Sequence, residues 1–425
     1  MDTEDARSRP VTLARYTVAP EGRIDTREEL LAALVIAAEL EHSLLVQYLF
    51  TACSCRKRPD DGFDERQVEL VRDWEASLLA IAREEMVHLA TVSKIAVAVG
   101  GAPHLERPDF PQPADAQFPF DLRLNHLSLE TIDRFIRFEA PGDAVLAETF
   151  AIAPDPVEFE FLGELYRQII TAIRLLADTR GEAWLFVGPR ELRAAENWGL
   201  HHIVRGIDGA ASVIKALDEI ITEGEGGQRD IPTSHWQRFK RIRGALANEL
   251  GADPTFTPAH PVVDNPSTRP RPGATLLDGI AREVAELFNH LYTTVLLLLG
   301  QYYAPAGETS QQRAEIQATV RRSMSAILRP IMEILTGIPV GEGIPRRCAG
   351  APFEVYAPVQ LATNAVARWA VLDERLERAA DEAEQLAGGS GLKRLRFIAE
   401  NIALMRDAVR RVGAGEGVGV AGPRI

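Results

Sequence analysis

The sequence predicts an all-α protein, a four-helix bundle with one long crossover followed by a C-terminal helical region. Three observations carry that reading. Long stretches repeat apolar residues at three- and four-residue spacing, as one face of a helix does. Signals for β-strands are weak throughout. The breaks between periodic stretches fall at Gly/Pro clusters, which end helices. A chain of 425 residues, 46% hydrophobic and 25% charged, has ample material for a sizeable core and is long for one domain.

Residues 1–25 read as a lead-in. From "DTREELLAALVIAAELEHSLLVQYLFTA" the pattern is helical, with Thr26 as cap and Glu29 completing a capping box. "CRKRPDDGF" breaks it, and a second helix runs from about Asp64 to Val99, stopping at Gly100–Gly101. The stretch 101–156 is too rich in proline for one regular element, although "SLETIDRFIRFEAP" predicts a short helix inside it. A third long helix is predicted from near Val157 and a fourth from near Pro189 to Thr222. "HWQRFKRIRGAL" opens another. Two helices, a crossover and two more helices is the connectivity of ferritin-like bundles. The bundle therefore takes residues 26–250, a Pro-rich linker 251–275, and the C-terminal helical region 276–425. In that region helices are predicted over 276–304, 309–336, 358–387 and 391–412, with a loose tail after them.

The net charge of −14 repels phosphate backbones, so nucleic acid is excluded as a partner. "LYTTVLLLLG" at 291–300 is about half the length of a spanning helix, so no membrane span is expected. Cys53, Cys55 and Cys348 are too few for a disulfide framework and fit a reducing cytoplasm. The polar N-terminus shows no secretory signal.

In "AREEMVHLA", Glu85 and His88 lie three apart, about 60° around a helix axis, so they project together. That pair is half of what a carboxylate-bridged dimetal site uses, although solvated helix faces carry the same spacing. Glu41 sits on a stripe of Leu34, Ala37, Ala38, Leu44, Leu45 and Tyr48. A carboxylate there needs a metal, or a buried hydrogen bond or salt bridge. Glu164 also lies on an apolar side, between Phe161, Leu165 and Ile169. Glu225 and His235 are ten residues apart, about 15 Å in one helix. Intervening glycines and Pro232 allow a loop that folds them together; "GEG" as a plain helix stop is the alternative.

Several pieces, in one order over roughly residues 28–300, resemble the ferritin-like family that includes the violacein- and rebeccamycin-pathway imine-dimer synthases. They are "AAELEHSLLVQYLFTA", "AREEMVHLATVSKIAVAVGGAPHL", "RFIRFEAP", "FLGELYRQI", "IITEGEGG", "SHWQRFKRI" and "ELFNHLYTTVLLLL". The resemblance implies metal ligation by Glu41, Glu85, His88, Glu164, Glu225 and His235. It implies two metal ions, iron ahead of manganese, dioxygen or peroxide as co-substrate, and a small organic, amino-acid-derived imine as substrate. The activity implied is an oxidative step in secondary metabolism, by a possible homo-oligomer. The chain is shorter than the pathway synthases and has Gln47 and Tyr48 where they carry a Pro-containing segment. The alternatives are a dimanganese, catalase-like peroxide-detoxifying protein and a non-enzymatic helical interaction protein. Glu286 and His290 are a weaker candidate for a second metal pair, and His201 and His202 for outer support of the first. Trp184, Trp198 and Phe239 are read as core, and so are Phe110, Phe118 and Phe120, with the lining of a substrate channel as their alternative.

Overall fold

The computed structural model describes residues 24–58, 62–114, 121–140, 162–199, 202–224, 231–341, 346–356 and 358–415. Helix α1 (Arg27–Cys53) opens on the predicted capping box: Thr26 Oγ1 accepts from the Glu29 amide at 3.2 Å, and Glu29 Oε2 accepts from the Thr26 amide at 3.0 Å. Most of α1 is buried, as befits a helix apolar on nearly every side. Helix α2 (Glu65–Ala98) is capped by Asp64 and ends before Gly100, whose φ of +92° suits glycine.

Helix α3 is Leu129–Phe138, α4 Leu162–Arg180, α5 Ala210–Glu223 and α6 His235–Ala252. Pair by pair, α1 packs on α2, α2 on α5, α5 on α4 and α4 on α1, which closes a four-helix ring. Helices α3 and α6 pack on each other, and α6 also rests on α2. This is the all-α, ferritin-like architecture the sequence predicts.

The fourth helix departs from its predicted start. It begins at Ala210, and the stretch before it forms a 3₁₀ turn (Arg190–Leu192) and an antiparallel hairpin of β1 (Glu196–Asn197) and β2 (Ile203–Val204). The reason is a buried ammonium. Lys94 of α2 pairs with Glu196 at 3.0 Å and donates to the Ala194 carbonyl at 2.7 Å, a carbonyl a helix would use itself. Gly188 fixes the same segment, because a Cβ there would lie 2.0 Å from the Val97 carbonyl oxygen. Trp184 is not core. It is 39% exposed and stacked under Arg27 and Arg180.

The C-terminal region holds α7 (Gly279–Tyr303), α8 (Ser310–Ser323), a π-helical turn (Met324–Leu328), α9 (Arg329–Leu335), α10 (Ala365–Ser390) and α11 (Arg394–Gly413). The π turn precedes Pro330, which has no amide to continue the ladder and crowds the turn before it. One hydrophobic core runs through the bundle and this region together. The segment 251–275 is tied to both sides: Arg56 N donates to the Pro258 carbonyl at 2.8 Å, and Val263 N to that of Cys348 at 2.9 Å. Among the described residues no helix is long and apolar enough to cross a membrane.

Candidate metal centre

Five side chains converge where α1, α2, α3 and α6 meet, and all are buried: Glu41, Glu85, His88, Glu139 and His235. Helix α2 sets the middle, since its three-residue spacing brings Glu85 and His88 out together. Glu139 is the C-cap of α3 and His235 the first residue of α6, after the N-cap Ser234. A carboxylate at a helix C-terminus and an imidazole at a helix N-terminus both run against the helix dipole as charges. Those placements are tolerated when the carboxylate faces a cation and the imidazole presents a lone pair.

Glu85 sits between two groups of donors. Its Oε2 is 3.1 Å from His88 Nδ1, which is 3.5 Å from Glu41 Oε2. Its Oε1 is 3.0 Å from His235 Nδ1, which is 3.5 Å from Glu139 Oε2. Within each group, Glu41–Glu85–His88 and Glu85–Glu139–His235, the ligating atoms lie within 4.8 Å of one another. The two imidazoles stack with centroids 5.7 Å apart.

The far atoms of this cluster are tied down. His88 Nε2 meets Glu223 Oε2 at 3.0 Å, and His235 Nε2 meets Glu84 Oε2 at 2.9 Å. The Tyr166 hydroxyl donates to Glu41 Oε1 and the Tyr48 hydroxyl to Glu139 Oε1. The near atoms are not: Glu41 Oε2, Glu85 Oε1, Glu139 Oε2 and His235 Nδ1 are buried with no hydrogen-bond partner. Four unpartnered atoms aimed at one another would be costly in a purely structural network. Neighbouring ligands on one small divalent ion are roughly 3 Å apart, the separation found here. The residues present therefore fit hard-cation binding, with Glu85 common to both groups of donors. Gly224 closes the wall: a Cβ there would stand 3.0 Å from His235 Nδ1 and 3.1 Å from Glu139 Oε2.

Burial and neighbouring charge pull these groups apart. Burial pushes the Glu41 carboxyl up to about 8, against the His88 imidazole. Burial also acts on Glu85, but the His235 and His88 imidazoles outweigh it and hold the carboxyl well below its usual range. Burial opposes the charge on His88 and His235, yet the carboxylates around them, Glu41 first for His88 and Glu139 first for His235, leave both above the ordinary imidazole value.

Four of the six residues implied by the resemblance are thus brought together: Glu41, Glu85, His88 and His235. Glu225 lies outside the described residues. Glu164 is not brought in; its side chain is 47% exposed and pairs with Arg167 at 3.3 Å. The buried stripe of α4 runs through Tyr166, Ile169, Ile170 and Ile173, so Glu164 falls beside it and Tyr166 makes the contact with Glu41. Glu139 joins the cluster without being among the six, although it carries the same signal as Glu41, following Ile132 and Phe135 at seven- and four-residue spacing on a buried stripe. Among the described residues Glu286 and His290 have other partners: Glu286 pairs with Arg282 at 2.9 Å, and His290 Nε2 meets the Arg375 carbonyl at 3.0 Å. His201, Phe118 and Phe120 lie outside the described residues.

A family model described as ferritin-like matches residues 34–244, a span that contains all five converging side chains. The dichlorochromopyrrolate synthase of Lentzea aerocolonigenes is 29% identical over 378 aligned residues, covering 78% of this chain and 36% of that protein. The 2-imino-3-(indol-3-yl)propanoate dimerase of Chromobacterium violaceum is 27% identical over 402, covering 87% of this chain and 38% of that one. Both relatives are named as enzymes, and the chain spans under two fifths of their length. Among solved structures, a ferritin-like protein from Caulobacter vibrioides aligns with 20% identity and a TM-score of 0.43, over 71% of this chain and 96% of that one.

Proposed function

We propose, from the match of residues 34–244 to a ferritin-like family model, a dimetal carboxylate enzyme, with iron in the centre, that oxidises a small amino-acid-derived imine. The observation that carries the reading is the set of four buried, unpartnered donor atoms gathered around Glu85. Glu41, Glu85, His88, Glu139 and His235 would hold the metal, with Glu85 common to both groups of donors. A bound iron pair supplies Lewis acidity and electrons for a small oxidant such as dioxygen or peroxide.

The rest is the work of the chain. Glu223 and Glu84 accept the Nε2 protons of His88 and His235, which leaves Nδ1 bare toward the centre. Tyr166 and Tyr48 hold the outer oxygens of Glu41 and Glu139, which fixes where the inner ones point. Glu223, 53% exposed, anchors the outer edge of the His88 ring at the solvent boundary. Burial of all five donors keeps bulk water off the centre.

The substrate class rests on the two named relatives, one of which is a dimerase of an indolyl 2-imino acid. Dioxygen uptake by the iron-loaded protein, with freshly generated aryl-substituted 2-imino acids, tests this. Uptake that depends on the imine supports it. Peroxide disproportionation by the manganese-loaded form, with no imine-dependent uptake, would replace it with a peroxide-detoxifying activity.

A further inference from the structure

We propose that a second site, distinct from the metal centre, binds an amphipathic organic anion: a monocarboxylate with an apolar, alkyl or aryl body. The site is a cleft of about 640 Å³ between α1–α2 and the C-terminal helices α7 and α9. None of the five converging side chains of the metal centre lines it, and the inference does not rest on the metal reading. Its size is that of small-molecule sites in general.

Three features of the lining define the occupant. The walls are aliphatic, with Leu45, Leu49, Leu79, Leu89, Leu296 and Leu299 among them. Two hydroxyls on the lining are buried without a partner: Ser93 Oγ, on a residue 1% exposed, and Tyr303 OH, on one 3% exposed. They are partnerless polar atoms on residues of an otherwise aliphatic wall. The third feature is charge. Arg322 and Arg329 line the cleft but are held by Glu315 at 3.0 Å and by Glu75 at 3.0 Å. Arg83 and Arg321 line it too, and among the described residues neither pairs with a carboxylate; Arg83 Nε is buried with no hydrogen-bond partner. In a chain of net charge −14, two guanidiniums that face no carboxylate among the described residues reverse the local sign of one apolar cleft. A guanidinium fork matches a carboxylate.

A backbone feature points to the same place. The π-helical turn Met324–Leu328 contributes Met324, Ser325 and Leu328 to the wall. Single π turns inside helices recur at functional sites. Here the turn shifts the helix register at the cleft, just after Arg321 and Arg322.

Calorimetric titration with indole-3-propionate and with its neutral amide tests the proposal on the full chain. The acid should bind one per chain, and the amide at least about tenfold more weakly. Arg83→Met and Arg321→Met should each weaken the acid about tenfold and leave the amide unchanged, since one charge-assisted contact is lost. Leu296→Trp, which fills the cleft from α7, should abolish binding of both. Melting curves show whether each variant is folded, and the rim arginine variants keep the test open if the tryptophan variant is not. Glu85→Ala, in the metal centre, should leave binding unchanged. No binding of the acid, equal affinity for acid and amide, or arginine variants that bind like the wild type would each overturn the proposal. So would loss of binding in Glu85→Ala with none in Leu296→Trp, which would put the acid at the metal centre.

Discussion

Helices α1 and α2 serve two interiors. Toward α3 and α6 they present Glu41, Glu85 and His88; toward the C-terminal helices they present His42, Leu45 and Leu89 along a cleft. Both sides bury a histidine, and the two imidazoles respond in opposite senses. Burial works against charge on each. On His88 the carboxylates of Glu41, Glu223 and Glu85 outweigh it and raise the group. On His42 burial is joined by the Arg107 charge, and the group is held well below its ordinary value while its Nε2 meets the Tyr292 hydroxyl. Burial alone therefore decides little. What decides is whether the sequence places carboxylates or cations around the ring, and only the first arrangement suits a metal.

The largest expected difference between the two sides is in their response to metal. Chelation should lower the stability of the metal-loaded protein by about 4 kcal/mol or more if the ions are present at a thousandfold excess over Kd. The same treatment should leave Glu85→Ala nearly unmoved, as differential scanning would show. A smaller contrast comes from two tyrosines. Tyr166→Phe strands a buried carboxylate oxygen of Glu41 and should cost about 2–3 kcal/mol; Tyr292→Phe removes a partner of neutral His42 and should cost about 1 kcal/mol. Equal costs by denaturant titration would break the comparison.

Acid should act on the C-terminal side. His290 is pushed down to about 4, by burial first and then by Arg375, so its folded value lies below its unfolded one. Its contribution is then fully present above the unfolded value, near pH 6.5, and is lost as pH falls toward 4. His290→Gln should therefore lose about 1–2 kcal/mol less stability between pH 7 and pH 5 than the wild type. His42, held down by burial and the Arg107 charge, should titrate by NMR below the ordinary imidazole value. In metal-free protein the slope from His88 and His235 has the opposite sign: both are raised, so their contribution is present below about pH 6.5 and lost as pH rises above it. The smallest effect belongs to Glu286→Ala, which removes an exposed pair with Arg282 worth under about 0.5 kcal/mol. It should leave metal content untouched.

Helix periodicity made the bundle and the C-terminal helices legible, because both are written in local spacing. The start of the fourth helix was not, because a single residue of another helix, Lys94, draws on the carbonyls of 190–209. In the site, Glu85 and His88 were legible as neighbours in sequence, and Glu41 as an acid on an apolar stripe. Glu164 shows the limit of that reasoning: a stripe one residue to the side turns an acid outward. Glu139 was visible by the same rule, but its helix is short and lies inside a proline-rich crossover, so only the fold reveals what it faces. The cleft was not legible at all, since its walls come from helices far apart in the chain and its polar atoms are single residues.

Elemental analysis of protein purified without added metal, beside a Glu85→Ala/His88→Ala variant, tests the central claim most directly. About two equivalents of iron per chain are expected in the wild type, one for each triad, and none in the variant. Equal trace metal in both, unchanged after anaerobic addition of Fe(II), would contradict it and leave the five side chains as a buried polar network.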